Sequence, residues 1–203
     1  MAQMSDDQMV ARAREVIRRE AAAVGALAEQ LDERLAQVAA TLLNCQGHIL
    51  VTGAGTSHAV ALRLAHLLAC VGVPALYVSA ADGLHGGSGA VREGDVLYAI
   101  SKGGHSAEVN GFAEIARQRG ATLVAQTEEP DSPLGRLSDV VHCVRAPEDV
   151  DPYGMVATGS SLVNAAAGDA LCVLLLELTG YSREEFGQTH PGGAVGRRLE
   201  QKG

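Results

Sequence analysis

The stretch HILVTGAGTSHAVALRLAHLLAC, His48 to Cys70, decides how the rest of the chain is read. It opens on an apolar run with β-branched side chains, passes through small and polar residues, and continues in a helical pattern of alanine and leucine. A strand, a glycine turn and a helix in that order begin a βα unit. The strand is apolar at consecutive rather than alternate positions, as a parallel strand covered on both faces is. Comparable runs follow at ALYVSA from Ala75, DVLYAI from Asp95, TLVAQT from Thr122 and VVHCVRA from Val140. Helical patterns occupy Ser57 to Cys70, Ala107 to Arg119 and Ser160 to Leu178, with a glycine-rich connection, ADGLHGGSGAVREGD, before the third strand. Strands alternating with helices predict an α/β fold, a five-stranded parallel sheet flanked by helices on both faces.

Working outward, Asp6 to Asn44 predicts one long helix or two in succession. Val10, Ile17, Val24, Leu31 and Val38 recur every seven residues, and Leu35 and Leu42 widen the stripe. A helical segment that long overhangs a compact domain, so part of its apolar face is expected to meet a second subunit. Downstream, SREEFGQ leads into the tail HPGGAVGRRL. With no internal repeat or linker, residues 1–203 read as a single domain: 1–44 an N-terminal helical segment, 45–203 an α/β core and tail.

A chain of 203 residues that is 47% hydrophobic and 20% charged fits one globular domain. A net charge of −8, only 3% aromatic residues and no Trp argue against nucleic acid as a partner. Cys45, Cys70, Cys143 and Cys172 form no CxxC pair and read as small hydrophobes in a reducing compartment. Met1 to Asp7 lacks the pattern of a secretory leader, and the apolar run ALCVLLLEL is too short to span a bilayer. A cytoplasmic protein with no membrane partner is expected.

In open α/β sheets ligands bind beyond the carboxyl ends of the strands, and three of those ends here are polar and glycine-rich. In the first, VTGAGTSHA, Gly53 and Gly55 allow close backbone approach and Ser57 is the expected N-cap, with helix amides aimed at an anion. A dinucleotide fingerprint would need glycine where His58 stands and an acid after the second strand, where Ser79 and Ala80 stand, so no nucleotide cofactor is expected. The second end, SKGGHSAEV, offers Ser101, Ser106 and the amides of Gly103, Gly104 and His105 for a phosphate, with Lys102 adding charge. The third, DPYGMVATGSSL, supplies hydroxyls at Thr158, Ser160 and Ser161. His58, His85, His105 and His190 fall in strand-end loops or the tail, but their spacing matches no zinc signature, so no metal is expected.

These segments together resemble the sugar isomerase (SIS) domain, and within it the arabinose 5-phosphate isomerases. VIRREAAAVGALAEQLDE, VTGAGTSHA, VPALYVSAADGLHGGSG, GDVLYAISKGGHSAEV, SPLGRLSDVV, GDAL and HPGGAVGRRL carry the resemblance in register, over nearly the whole chain. It implies a flavodoxin-like fold, a homodimer or homotetramer, no cofactor, and reversible aldose–ketose isomerisation of a phosphosugar. By position, the family's functional glutamate falls at Glu108, its second acidic position at Asp149, its active-site histidine at His190 and another ligand-contacting histidine at His85. The family's phosphate loop falls at Ser101 through Ser106. The chain also departs from the family: Thr56 stands for the active-site lysine, Gly103 for a loop serine, Gly87 for the aspartate of HGD and Ser79 for a histidine. It reads as an SIS domain without the CBS modules that longer members carry.

Isomerisation through an enediol needs a base on carbon and proton management on oxygen. Glu108 is the expected carbon base and His190 the ring-opening or proton-shuttling group. Asp149 either orients a hydroxyl or His190, or is a solvated member of the loop PEDVD. The expected substrate contacts are Gly55, Thr56, Ser57, His85, Ser101, Lys102, Gly103, Gly104, His105, Ser106, Thr158 and Ser160. Three functions remain open at this stage: isomerisation of a phosphosugar, isomerisation of a sugar with another anionic group such as a sulfonate, and sugar-phosphate binding without catalysis.

Overall fold

The computed structural model describes residues 4–192. Five strands, β1 (Ile49–Gly53), β2 (Ala75–Tyr77), β3 (Val96–Ile100), β4 (Thr122–Thr127) and β5 (Val140–Cys143), form one sheet in the order β2-β1-β3-β4-β5. Every pairing is parallel, with Val51 beside Tyr77 and Gly53 beside Ile100. All residues of β1 and β3 are buried, which is why they read as unbroken apolar runs. The chain steps outward from β1 to β2 and then crosses back to β3, so the strand order reverses between β1 and β3.

Helices cover both faces. On one, α2 (Glu33–Leu43), α3 (Thr56–Cys70) and α7 (Gly159–Thr179) pack Val38, Leu42, Leu64, Leu68, Leu171 and Leu175 against Val51 and Tyr98. On the other lie α4 (Ala80–Leu84), α5 (Ala107–Gln118) and α6 (Pro133–Leu137), whose Ala80, Phe112, Ala116 and Leu134 meet Leu50, Leu97 and Leu123. Alternate residues of each strand thus serve opposite faces. The α7 helix is long and apolar enough, by length and composition only, to cross a membrane. The nine-residue run read from sequence is only its C-terminal part, in which Leu171 and Leu175 are buried and Val173 and Leu178 exposed, and in the fold α7 packs against α1 (Asp6–Ala26) and α3.

The N-terminal segment is two helices in succession. A short 3₁₀ turn, Leu27–Gln30, follows α1, the backbone straightens at Leu31 (ψ 122°), and the Asp32 side chain accepts from the Arg34 amide to start α2. The seven-residue stripe runs through that break, so its members separate: Val38 is fully buried, whereas Ile17 is 65% exposed. At α3 the structure corrects the expected cap. Gly55, not Ser57, is the N-cap, at φ 56° and with no side-chain cap bond, and Ser57 lies one residue inside the helix. All four cysteines are free.

Candidate active site

The reversal between β1 and β3 opens a small pocket of about 300 Å³ at the strands' carboxyl ends. Gly53 makes it by bringing three elements together. A Cβ there would lie 2.6 Å from the Ser57 carbonyl and 3.1 Å from that of Ile100. The walls are Gly53 to Gly55, His58 from the first turn of α3, Tyr77 at the end of β2, Ser79 to Ala81, and Glu108 from the first turn of α5. His58 Nδ1 is 2.5 Å from Tyr77 Oη, and the rings meet edge to face with centroids 4.8 Å apart. Burial pushes the Tyr77 phenol above its ordinary value.

Next to it, Ser101 to Ser106 forms a braced loop. Gly104 turns at φ 68°, its amide donating to the Ser101 carbonyl (3.1 Å), and any side chain there would run into Ser132 Oγ. Asn110 Nδ2 donates to the Gly104 carbonyl (3.1 Å) and Thr127 Oγ1 to that of Lys102 (2.9 Å). Ser106 is the N-cap of α5, yet its side chain makes no cap bond; its hydroxyl sits 3.2 Å from that of Ser101. A paired hydroxyl edge and a helix start with no side-chain cap are therefore side by side, an arrangement suited to an anion. His105, exposed at the turn, has Nε2 3.7 Å from Glu129 Oε2.

Lys102 is committed elsewhere. Its Nζ lies 3.2 Å from Oδ2 of Asp151, a buried carboxylate that also accepts from the Ser160 amide (2.9 Å) and hydroxyl (2.5 Å). Burial alone would raise the Asp151 carboxyl, but the Ser160 and Lys102 bonds outweigh it and hold the carboxyl below its ordinary value. Anion loop and α7 start are thus joined through one acid. Sequence reasoning passed over Asp151 because it sits between the family-aligned Asp149 and the serines, with no motif of its own.

The remaining sequence-chosen residues scatter. Asp149 is exposed beside a small hollow lined by Arg19, Ala22 and Val150. Thr56 lines a separate cleft of about 660 Å³ between α1, α3 and α7, with Glu20, Arg63 and Asp169. His85 is the exposed C-cap of α4, and Thr158 is an exposed N-cap of α7 without a side-chain bond. His190 caps α8 (Arg183–Thr189), where its ring stacks on Phe186 with centroids 3.8 Å apart and its Nδ1 is 2.9 Å from the Phe186 carbonyl. Tyr181, just before α8, packs on Gly72 in the turn preceding β2. That places the start of α8 toward the amino ends of the strands, so one protomer does not bring His190 to Glu108. The tail motif beyond Gly192 lies outside the described residues. Among the described residues no three His, Cys, Asp or Glu side chains group to hold a metal.

Beneath the site runs a buried polar chain that the sequence did not announce. Gln126 Nε2 donates to Asn164 Oδ1 (2.7 Å), Tyr98 Oη to Gln126 Oε1 (2.8 Å), and His142 Nδ1 is 2.8 Å from Tyr98 Oη. Since Tyr98 spends its proton on Gln126, His142 must donate from Nδ1, and its buried Nε2 finds no partner among the described residues.

A model of the SIS domain matches residues 42–182. The chain belongs to the SIS domain family. Among curated relatives of this SIS domain, the Pseudomonas aeruginosa arabinose 5-phosphate isomerase KdsD is 34% identical over 87% of this chain, and that of Salmonella typhi 32% over 92%. The chain spans 54% and 57% of those two relatives, little more than half their length. A solved structure from Listeria monocytogenes superposes with TM-score 0.90 at 32% identity, covering 94% of this chain and 100% of that one. An Escherichia coli CFT073 structure in complex with a sugar phosphate gives TM-score 0.89 at 28% identity, covering 93% of this chain and 100% of that one.

Proposed function

We propose that this SIS domain isomerises an anionic sugar between aldose and ketose forms, with arabinose 5-phosphate the first substrate to test. The observation that carries the reading is the position of Glu108. It faces the pocket at the strand-order reversal and follows, by two residues, the Ser106 end of the hydroxyl loop. An anion held by the Ser101 and Ser106 hydroxyls and by amides at the start of α5 would place the sugar carbons within this carboxylate's region. Glu108 would take the proton from the carbon beside the carbonyl and return it to the neighbouring carbon.

One further group is assigned to a second copy of the chain. His190 lies away from Glu108 within a protomer, and Ile17 on α1 is exposed, which supports an oligomer in which a partner copy's His190 approaches the site. The charge of the ligand is a separate matter. Thr56 stands in place of the family lysine and Lys102 is paired to Asp151, so neither of these two positions offers the anion an unpaired cation. That favours testing a singly charged sulfonate sugar beside the phosphate.

Purified protein incubated with arabinose 5-phosphate in deuterium oxide is expected to yield the ketose with deuterium at the carbon beside the carbonyl. A thermal-shift series with the phosphate, the sulfonate and the uncharged sugar reports binding alone, since a ligand of the native state raises its stability. Stabilisation without turnover would assign the domain to binding; neither effect with either anion would reject the proposal.

A further inference from the structure

The pocket beside Glu108 contains a pair that neither the family pattern nor the sequence-chosen set accounts for. His58 and Tyr77 come from different elements, the first turn of α3 and the end of edge strand β2, and both line the pocket with Glu108. Their 2.5 Å contact joins Tyr77 Oη to the Nδ1 side of the imidazole. The position where the family carries a cation, Thr56, faces the separate α1–α3–α7 cleft instead. Resting on the isomerase reading above, we propose that His58 serves the substrate oxygens opposite Glu108, with Tyr77 as its positioning residue.

The chemistry follows from the tautomer. With the Tyr77 hydroxyl as donor across the 2.5 Å contact to Nδ1, the ring's proton resides on Nε2. In that tautomer Nε2–H, in the pocket that Glu108 also lines, can donate to a carbonyl oxygen. As Glu108 removes the carbon proton, the C–H pair becomes the new C=C bond and the carbonyl pair moves onto oxygen, where the Nε2–H bond stabilises it. Nε2 gives its proton to that oxygen and takes one from the adjacent hydroxyl; Glu108 returns its proton to the other carbon. Both groups end as they began, and no oxidant or further reactant is needed.

The test combines kinetics with ¹⁵N spectra of histidine-labelled full-length protein. For the His58→Ala protein we expect kcat to fall by about 10² to 10⁴, the usual worth of a positioned acid–base group, with KM changed only a few fold. The spectrum of the unsubstituted protein should show His58 as the Nε2–H tautomer, and Tyr77→Phe should shift it toward a mixture while lowering kcat at nearly constant KM. A His58→Ala protein with full kcat overturns the inference. So does an Nδ1–H tautomer, or one unmoved by Tyr77→Phe. If the unsubstituted protein turns over no anionic sugar, the isomerase reading fails on its own account and the proposed catalytic role falls with it, whatever the spectra show of the tautomer.

Discussion

Ser101 and Ser106 show how one loop can be both a turn and a cradle. Their hydroxyls are 3.2 Å apart, and Ser106 forgoes the cap bond that its position normally makes. Replacing both with alanine is expected to weaken binding of the anionic sugar by about 1–3 kcal/mol per lost charge-assisted bond, measured by calorimetry against the unsubstituted protein. Unchanged affinity would place the anion elsewhere. Glu108→Gln should abolish turnover and leave ligand binding largely intact, because the amide keeps the shape and loses the base; a fully active variant would return Glu108 to the role of a helix-start charge. The buried His142 gives a prediction of a different kind. Burial pushes its imidazole down to about 4 from an ordinary 6.5. Between those values the unfolded chain binds a proton that the folded chain refuses, so stability rises with pH across that window. His142→Asn should flatten the dependence by up to about 3 kcal/mol in denaturant midpoints taken from pH 4 to 7.

At the scale of elements, Asp151 ties the loop after β3 to the start of α7. Its folded carboxyl lies below the ordinary 3.8, so its contribution is complete above that value and is lost as pH falls through the lower folded one. Asp151→Asn should therefore reduce the acid dependence of the melting temperature below pH 4. Lys102→Ala should cost about 1–2 kcal/mol, since the carboxylate keeps both Ser160 bonds and the lysine head is partly solvated. An unchanged melting temperature would make the pair a surface contact only. The elements were legible to unequal degrees. Every strand was readable: two-sided burial writes β1 and β3 as continuous apolar residues, and the less buried edge strands β2 and β5 keep short apolar runs. The break at Leu31–Asp32 lay hidden inside a regular seven-residue stripe. The Gly55 cap was missed because a left-handed glycine leaves no side-chain signature, whereas Ser57 carries one without using it.

At the scale of the molecule, the cleft between α1, α3 and α7 is lined by Ile17 and Leu162, 65% and 46% exposed. Apolar side chains grouped in this way are expected to be covered by a second copy. Light scattering at micromolar concentration should show a dimer or tetramer, and Ile17→Glu should lower the assembled mass while sparing the far-ultraviolet dichroism. A monomeric unsubstituted protein would leave His190 without access to the site and remove it from the proposed mechanism.

The sequence by itself determined the α/β class, the five strands, the glycine-bearing strand ends and the family, because these rest on local periodicity and on short motifs in register. Only the tertiary structure decided which polar residues meet. Asp151 was indistinguishable from Asp149 along the chain, and burial against Lys102 and Ser160 separates them. Tyr77 read as an ordinary strand residue until β2 took the sheet edge beside α3, with His58 and Glu108 facing the same pocket. His190 looked adjacent to the site by motif and lies away from it within a protomer, because α7 carries the chain back toward the opposite end of the sheet. Contacts between residues far apart in sequence depend on the path of the backbone, which no local pattern records.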